Sequence, residues 1–131
     1  MRKLGLVLFL AAAFVSCESG NKDVAVGFKT TMKINAVYDA GKIAKGEIIN
    51  AKFTVENTGD SPLILSDVKG SCSCTVADFS QDPIAPGKKG YIKASVNTES
   101  FSVGPATRSI RVLSNTTPAE TTVIVKATII R

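Results

Sequence analysis

Ile49-Asn50-Ala51-Lys52-Phe53-Thr54-Val55-Glu56 alternates apolar and polar residues from end to end. Successive side chains of an extended strand point to opposite faces, so this stretch makes one apolar face of Ile49, Ala51, Phe53 and Val55. The other face carries Asn50, Lys52, Thr54 and Glu56. A strand of this kind belongs to a sheet that covers a core on one side and meets water on the other.

The same period recurs downstream. Ile92, Ala94 and Val96 alternate with Tyr91, Lys93 and Ser95; Ile110 and Val112 flank Arg111; and Val123, Val125, Ala127 and Ile129 alternate with Thr122, Ile124, Lys126 and Thr128. Weaker strands are expected at Val24–Phe28, Met32–Val37, Leu63–Val68 and Thr75–Phe79. No window past the N-terminal apolar run shows a helical period. Turn chemistry separates the strands, because Gly supplies positive φ and Pro presets φ. The turns are expected at Ala44-Lys45-Gly46-Glu47, Asn57-Thr58-Gly59-Asp60-Ser61-Pro62, Pro83 to Gly90, Val103-Gly104-Pro105 and Asn115-Thr116-Thr117-Pro118. Seven to eight short strands at this spacing predict an all-β, Ig-like antiparallel β-sandwich.

The N-terminus has a different character. Met1-Arg2-Lys3 is basic, and Leu4 to Phe14 is an apolar run that ends before Val15-Ser16-Cys17. The run is too short for a permanent membrane span, which needs about 20 apolar residues, and has the layout of a secretory signal. Ser16-Cys17 resembles the bacterial lipoprotein box, with Phe14 where that box usually has Leu. The resemblance implies a signal peptide over 1–16, an acylated Cys17, a tether over 17–29 and a domain over 30–131. Removing the signal shortens the chain from 131 to 131 − 16 = 115 residues, and loss of Arg2 and Lys3 lowers the net charge from +5 to +3. That excess is small and dispersed, which argues against a nucleic-acid binder. The chain has no His, which excludes Ser-His-Asp and Cys-His catalysis and every His-ligated metal site.

Several blocks occur in a fixed order. They are Gly41-Lys42-Ile43-Ala44-Lys45-Gly46-Glu47, Phe53-Thr54-Val55-Glu56-Asn57-Thr58-Gly59, Pro62-Leu63, Ser71-Cys72-Ser73-Cys74-Thr75, Ile84-Ala85-Pro86-Gly87 and Ser114-Asn115. Together they resemble a bacterial family of secreted Ig-like domains of unknown function, similar to the abnormal-spindle/Hydin and PapD-like sandwiches. The resemblance covers about residues 30–131. It implies an Ig-like sandwich, often in lipoproteins, and no known activity. This chain has Ser73 where the family usually has Gly between the two cysteines.

With Cys17 lipidated, Cys72 and Cys74 remain as the candidate disulfide or thiol site. In a straight strand their Cα atoms would lie about 6.6 Å apart, at the long end for a disulfide, so pairing requires a kink. Gly70, Ser71 and Ser73 are small enough to allow one. Three roles stay open: structural thiols or a structural disulfide, thiol redox chemistry, and soft-metal binding such as Cu(I). Two ligands do not complete a zinc site. Asp60, Asp67, Asp78 and Asp82 have no spacing that suggests acid–base work, and Lys88-Lys89 and Lys93 form, with Arg108 and Arg111, a small basic set expected to be a solvated face. Tyr38 and Phe101 are expected in the core. No catalytic residue, metal or cofactor is expected. The sequence therefore predicts a non-catalytic binding or structural domain, lipid-anchored in a bacterial cell envelope and facing the periplasm or exterior. Its partners are a membrane, through the lipid, and another envelope protein; no nucleic acid and no small-molecule substrate are indicated. A thiol-redox or Cu(I) module at Cys72 and Cys74 is the alternative.

Overall fold

The structure, a computed structural model, describes residues 28–131. The signal, Cys17 and nearly all of the Val24–Phe28 stretch lie outside the described residues. Eight strands follow in order: β1 (Met32–Ile34), β2 (Val37–Ala44), β3 (Ile48–Asn57), β4 (Leu65–Gly70), β5 (Thr75–Phe79), β6 (Lys89–Asn97), β7 (Gly104–Ser114) and β8 (Glu120–Ile130). They form two four-stranded sheets, one ordered β1-β3-β6-β5 and the other β2-β8-β7-β4. Every pairing is antiparallel except β2 with β8. The chain is an all-β sandwich, as the alternation predicted.

The alternation also sets which face is inside. Ile49, Ala51, Phe53 and Val55 of β3 are buried, with Ile92, Ala94 and Val96 of β6 paired beside them. Ile110 and Val112 of β7, and Val123, Val125, Ala127 and Ile129 of β8, close the core from the other sheet. Burial of such side chains contributes roughly 1.5–3 kcal/mol each, before conformational entropy is set against it. In β4 the register shifts between Leu65 and Asp67, which lets Leu65 and Val68 both face inward despite their odd spacing.

Several boundaries differ from the sequence expectation: the strand expected at Leu63–Val68 is Leu65–Gly70, and β6 begins at Lys89 inside the expected Pro83 to Gly90 turn. Met32–Val37 is not one strand. β1 ends at Ile34, and the chain crosses to the other sheet, where the Ile124 N–H donates to the Ala36 carbonyl at 2.7 Å. β2 then continues to Ala44, through the first residue of an expected turn. It carries a bulge between Asp39 and Lys42, where Gly41 has φ 69° and its N–H donates to Asp39 Oδ1 at 2.9 Å. Val103-Gly104-Pro105 is only partly a turn, because β7 begins at Gly104 and pairs Pro105 with Thr128. Thr75–Phe79 is β5 itself.

Candidate functional site

Cys72 and Cys74 sit in the tight connection between β4 and β5, the last strand of one sheet and the last of the other. The connection is short because Gly70 and Thr75 nearly touch. A Cβ placed on Gly70 would lie 2.5 Å from Thr75 Cβ, so no larger residue fits without displacement. Backbone hydrogen bonds shape the turn. The Ser71 N–H donates to the Ser109 carbonyl at 2.9 Å, the Thr75 N–H to the Cys72 carbonyl at 3.2 Å, and the Asn97 N–H to the Cys74 carbonyl at 2.9 Å. The kink brings the two cysteine Cα atoms to 5.2 Å, and the sulfurs are joined as a disulfide.

Thr75 is buried beneath the turn, with its hydroxyl 3.6 Å from Cys72 Sγ and 3.8 Å from Cys74 Sγ. A disulfide sulfur carries no hydrogen, so the hydroxyl is the donor, and its single hydrogen goes to one sulfur at a time or is shared between the two. Both cysteines are half-buried. Cys74 packs partly against the core and also lines an open groove of about 520 Å³ with Ile48, Val76, Asn97 and Glu99. Joined in this way, the sulfurs are not thiolate ligands. Among the described residues, no group of three Cys, Asp or Glu side chains stands close enough to hold a metal ion.

The groove runs onto the outer face of β5. Val76 is 71% exposed there and Ile48 is 58% exposed across the sheet. β5 bonds to β6 through the Cys74 carbonyl and, just past the strand, through the Ser80 N–H to the Tyr91 carbonyl. Antiparallel bonding alternates along a strand, so Ala77 directs its N–H and C=O out of the sheet. Phe79 directs its N–H outward as well, while its carbonyl accepts from Gln81 Nε2 at 3.0 Å. β5 is therefore a partly open edge.

The sequence marked Asn57-Thr58-Gly59 and Ile84-Ala85-Pro86-Gly87 only as turns and resemblance blocks, yet a buried hub lies there, at the opposite end of the sandwich. Asn57 is fully buried. Its Nδ2 donates to the carbonyls of Ser61 at 2.7 Å and Ile84 at 2.8 Å, and its Oδ1 accepts from Thr30 Oγ1 at 2.8 Å and the Gly59 N–H at 3.0 Å. The Asn57 backbone also pairs with the Lys88 carbonyl and the Gly87 N–H. These bonds explain why Asn57-Thr58-Gly59 and Ala85-Pro86-Gly87 occur together. Asn115 acts similarly, accepting from the Ile64 N–H at 2.7 Å and donating to the Pro62 and Phe28 carbonyls. Both are structural amides that tie loops together rather than ligand-facing groups.

The basic set expected from the sequence is divided. Lys89 and Lys93 lie on β6, whereas Arg108 and Arg111 lie on β7 in the other sheet. Arg108 points inward, its guanidinium 3.9 Å from the ring centre of buried Phe101. Arg111 is 3.8 Å from Glu120 across a half-exposed pair, a contact of small energetic weight. Lys93 covers the Tyr91 ring at 4.9 Å. Tyr38 is half-buried and meets the core edge-on through Phe53 at 6.3 Å. Among the described residues, no helix is long and apolar enough to cross a membrane.

A family model described as "Protein of unknown function (DUF1573)" matches residues 21–129. No curated protein matches the sequence. Among solved structures, a protein of unknown function from Porphyromonas gingivalis W83 superposes with a TM-score of 0.68 at 19% identity, covering 83% of this chain and 51% of its own. The ASH/PapD-like domain 7 of human CEP192 gives 0.57 at 13% identity, over 79% of this chain and 87% of that domain. The secreted serine protease VesC from Vibrio cholerae gives 0.59 at 12% identity, over 76% of this chain and 23% of the protease. This chain thus spans about half of the Porphyromonas protein and about a quarter of the protease. At these identities the likeness is one of fold.

Proposed function

Since the chain belongs to the DUF1573 family of unknown function and folds as a PapD-like sandwich, we propose that it is a lipid-anchored bacterial envelope protein whose sandwich is a non-catalytic binding module. Cys17 would carry the lipid, and residues 17–29 would hold the domain off the membrane. The observation that supports binding is the open edge of β5, with outward backbone groups at Ala77 and Phe79 beside exposed Val76 and Ile48. An extended segment of an envelope partner would add as a further strand there, its backbone pairing with Ala77 and one apolar side chain resting on Val76.

A photo-crosslinking residue at Val76, in the full chain in its native cells, tests this reading. One discrete cross-linked product is expected from Val76 and none from the same residue at Thr122 on the other sheet. Equal products at both sites, or none at either, would overturn the reading.

A further inference from the structure

We propose that the Cys72–Cys74 disulfide is a thiol–disulfide exchange site that accepts two electrons from a dithiol, or from two thiols, arriving through the Ile48/Val76 groove. The proposal concerns the turn itself and does not depend on whether a partner docks on β5.

Three observations carry it together. The disulfide is not needed to hold the turn, which the Ser71–Ser109, Thr75–Cys72 and Asn97–Cys74 backbone hydrogen bonds already define. A bridge across a single residue also restricts the unfolded chain very little. Reduction is thereby separated from unfolding. Second, the cysteines differ in setting: both are half-buried, and Cys74 lines the open groove whereas Cys72 is not among its lining residues. Third, a buried hydroxyl donor stands ready under both sulfurs. Thr75 Oγ1 is 3.6 Å from Cys72 Sγ, where it would donate to a departing thiolate.

A thiolate of the reductant enters the groove and bonds to Cys74 Sγ. The Cys72–Cys74 bond breaks, and its electron pair leaves on Cys72 as a thiolate facing the Thr75 hydroxyl. A second thiolate of the reductant then attacks the reductant sulfur of the mixed disulfide and releases the Cys74 thiolate. Both cysteines take up the protons that the two reductant thiols lost. The reductant ends as a disulfide and the protein as a dithiol; the reverse sequence would reduce an oxidised partner.

The full-length protein in detergent is incubated with reduced glutathione, alkylated, and digested with trypsin. The fragment Gly70–Lys88 contains both of these cysteines and excludes Cys17, so its mass reports this site alone. Exchange is expected to proceed in the folded protein at a rate within about threefold of that in strong denaturant, with circular dichroism unchanged. In single variants given oxidised glutathione instead, the Cys74 thiolate of Cys72→Ser should attack the glutathione disulfide and release one reduced glutathione, forming the mixed disulfide at least fivefold faster than Cys72 of Cys74→Ser does. Thr75→Val should slow reduction of the folded protein by fivefold or more, while the denatured variant reacts like the parent. Reduction that occurs only after unfolding would overturn the proposal. So would equal reactivity of the two single variants, or an unchanged native rate in Thr75→Val.

Discussion

Asn57 Nδ2 donates to the Ile84 carbonyl at 2.8 Å, although the two residues are separated by 27 positions and lie on different segments of the loop end. The same amide satisfies three other groups, so one side chain closes that end of the sandwich. A buried polar group deprived of its partner costs about 1–3 kcal/mol. Asn57→Ala strands several at once. It is expected to destabilise by about 3–5 kcal/mol in denaturant unfolding, and Asn57→Asp by a comparable amount because a carboxylate cannot donate to Ile84 and Ser61.

Phe53 and Lys52 are neighbours in sequence and lie on opposite faces of β3. Phe53→Ala should cost about 3–5 kcal/mol, as large-to-small core changes do. Lys52→Ala should stay within about 0.5 kcal/mol. Comparing denaturation midpoints of the two variants checks the register directly, since a slip of one residue would exchange the two results.

Gly59 and Gly87 flank the Asn57 hub for different reasons. A Cβ on Gly59 would run into Thr30 Oγ1 and lie 2.7 Å from the Thr31 backbone nitrogen. A Cβ on Gly87 would meet nothing within 4 Å, but φ is 75° there. Gly59→Ala is therefore expected to cost about 2–3 kcal/mol through overpacking, and Gly87→Ala about 1–2 kcal/mol through backbone strain. Gly87→Asn, which tolerates positive φ, should recover much of the second loss and distinguishes the two causes in thermal melts.

The strands buried on one face were legible because alternation is dictated by the core itself. Ile49 to Val55 shows it without interruption, and Val123 to Ile129 with one exception, Ile124. β2 was not legible, because an edge strand with a bulge at Gly41 breaks the period, and because Tyr38, Ala40 and Ile43 are only partly covered. The hub was hidden for another reason. Asn57-Thr58-Gly59 has ordinary turn composition, and only the return of residues 84–88 to the same place reveals that its amide is interior. The division of the basic residues likewise depends on which sheet each strand joins, which sequence spacing does not encode. Cys72 and Cys74 were evident as a pair, and the small residues around them pointed to the kink; the role of Thr75 beneath them was not evident.

The double variant Cys72→Ser/Cys74→Ser should lose less than about 2 kcal/mol, the most that a bridge closing so small a loop supplies in the chain-entropy account. Calorimetry of the oxidised parent and the variant measures this. A much larger loss would place the stabilising role in buried sulfur packing.

Cys17→Ala should abolish incorporation of a palmitate analogue during metabolic labelling and leave the chain either unprocessed or released from the membrane fraction. Equal labelling of variant and parent would refute the anchor.

The parallel pairing of β2 with β8 sets an order of events during synthesis. Val37 of β2 aligns with Ile124 of β8, and β2 has no other neighbour in its sheet. Residues 32–97 contain every strand of the β1-β3-β6-β5 sheet, so that layer has all its partners early. The opposing layer has to wait for residues 120–130. β4 can pair with β7 before then, but until residues 120–130 emerge β2 lacks its hydrogen-bonding partner and the inner face of the first layer stays partly uncovered, a window in which the nascent chain is open to chaperones and to proteases. Truncations that remove β8 should therefore lose the whole cooperative transition rather than a local part of it.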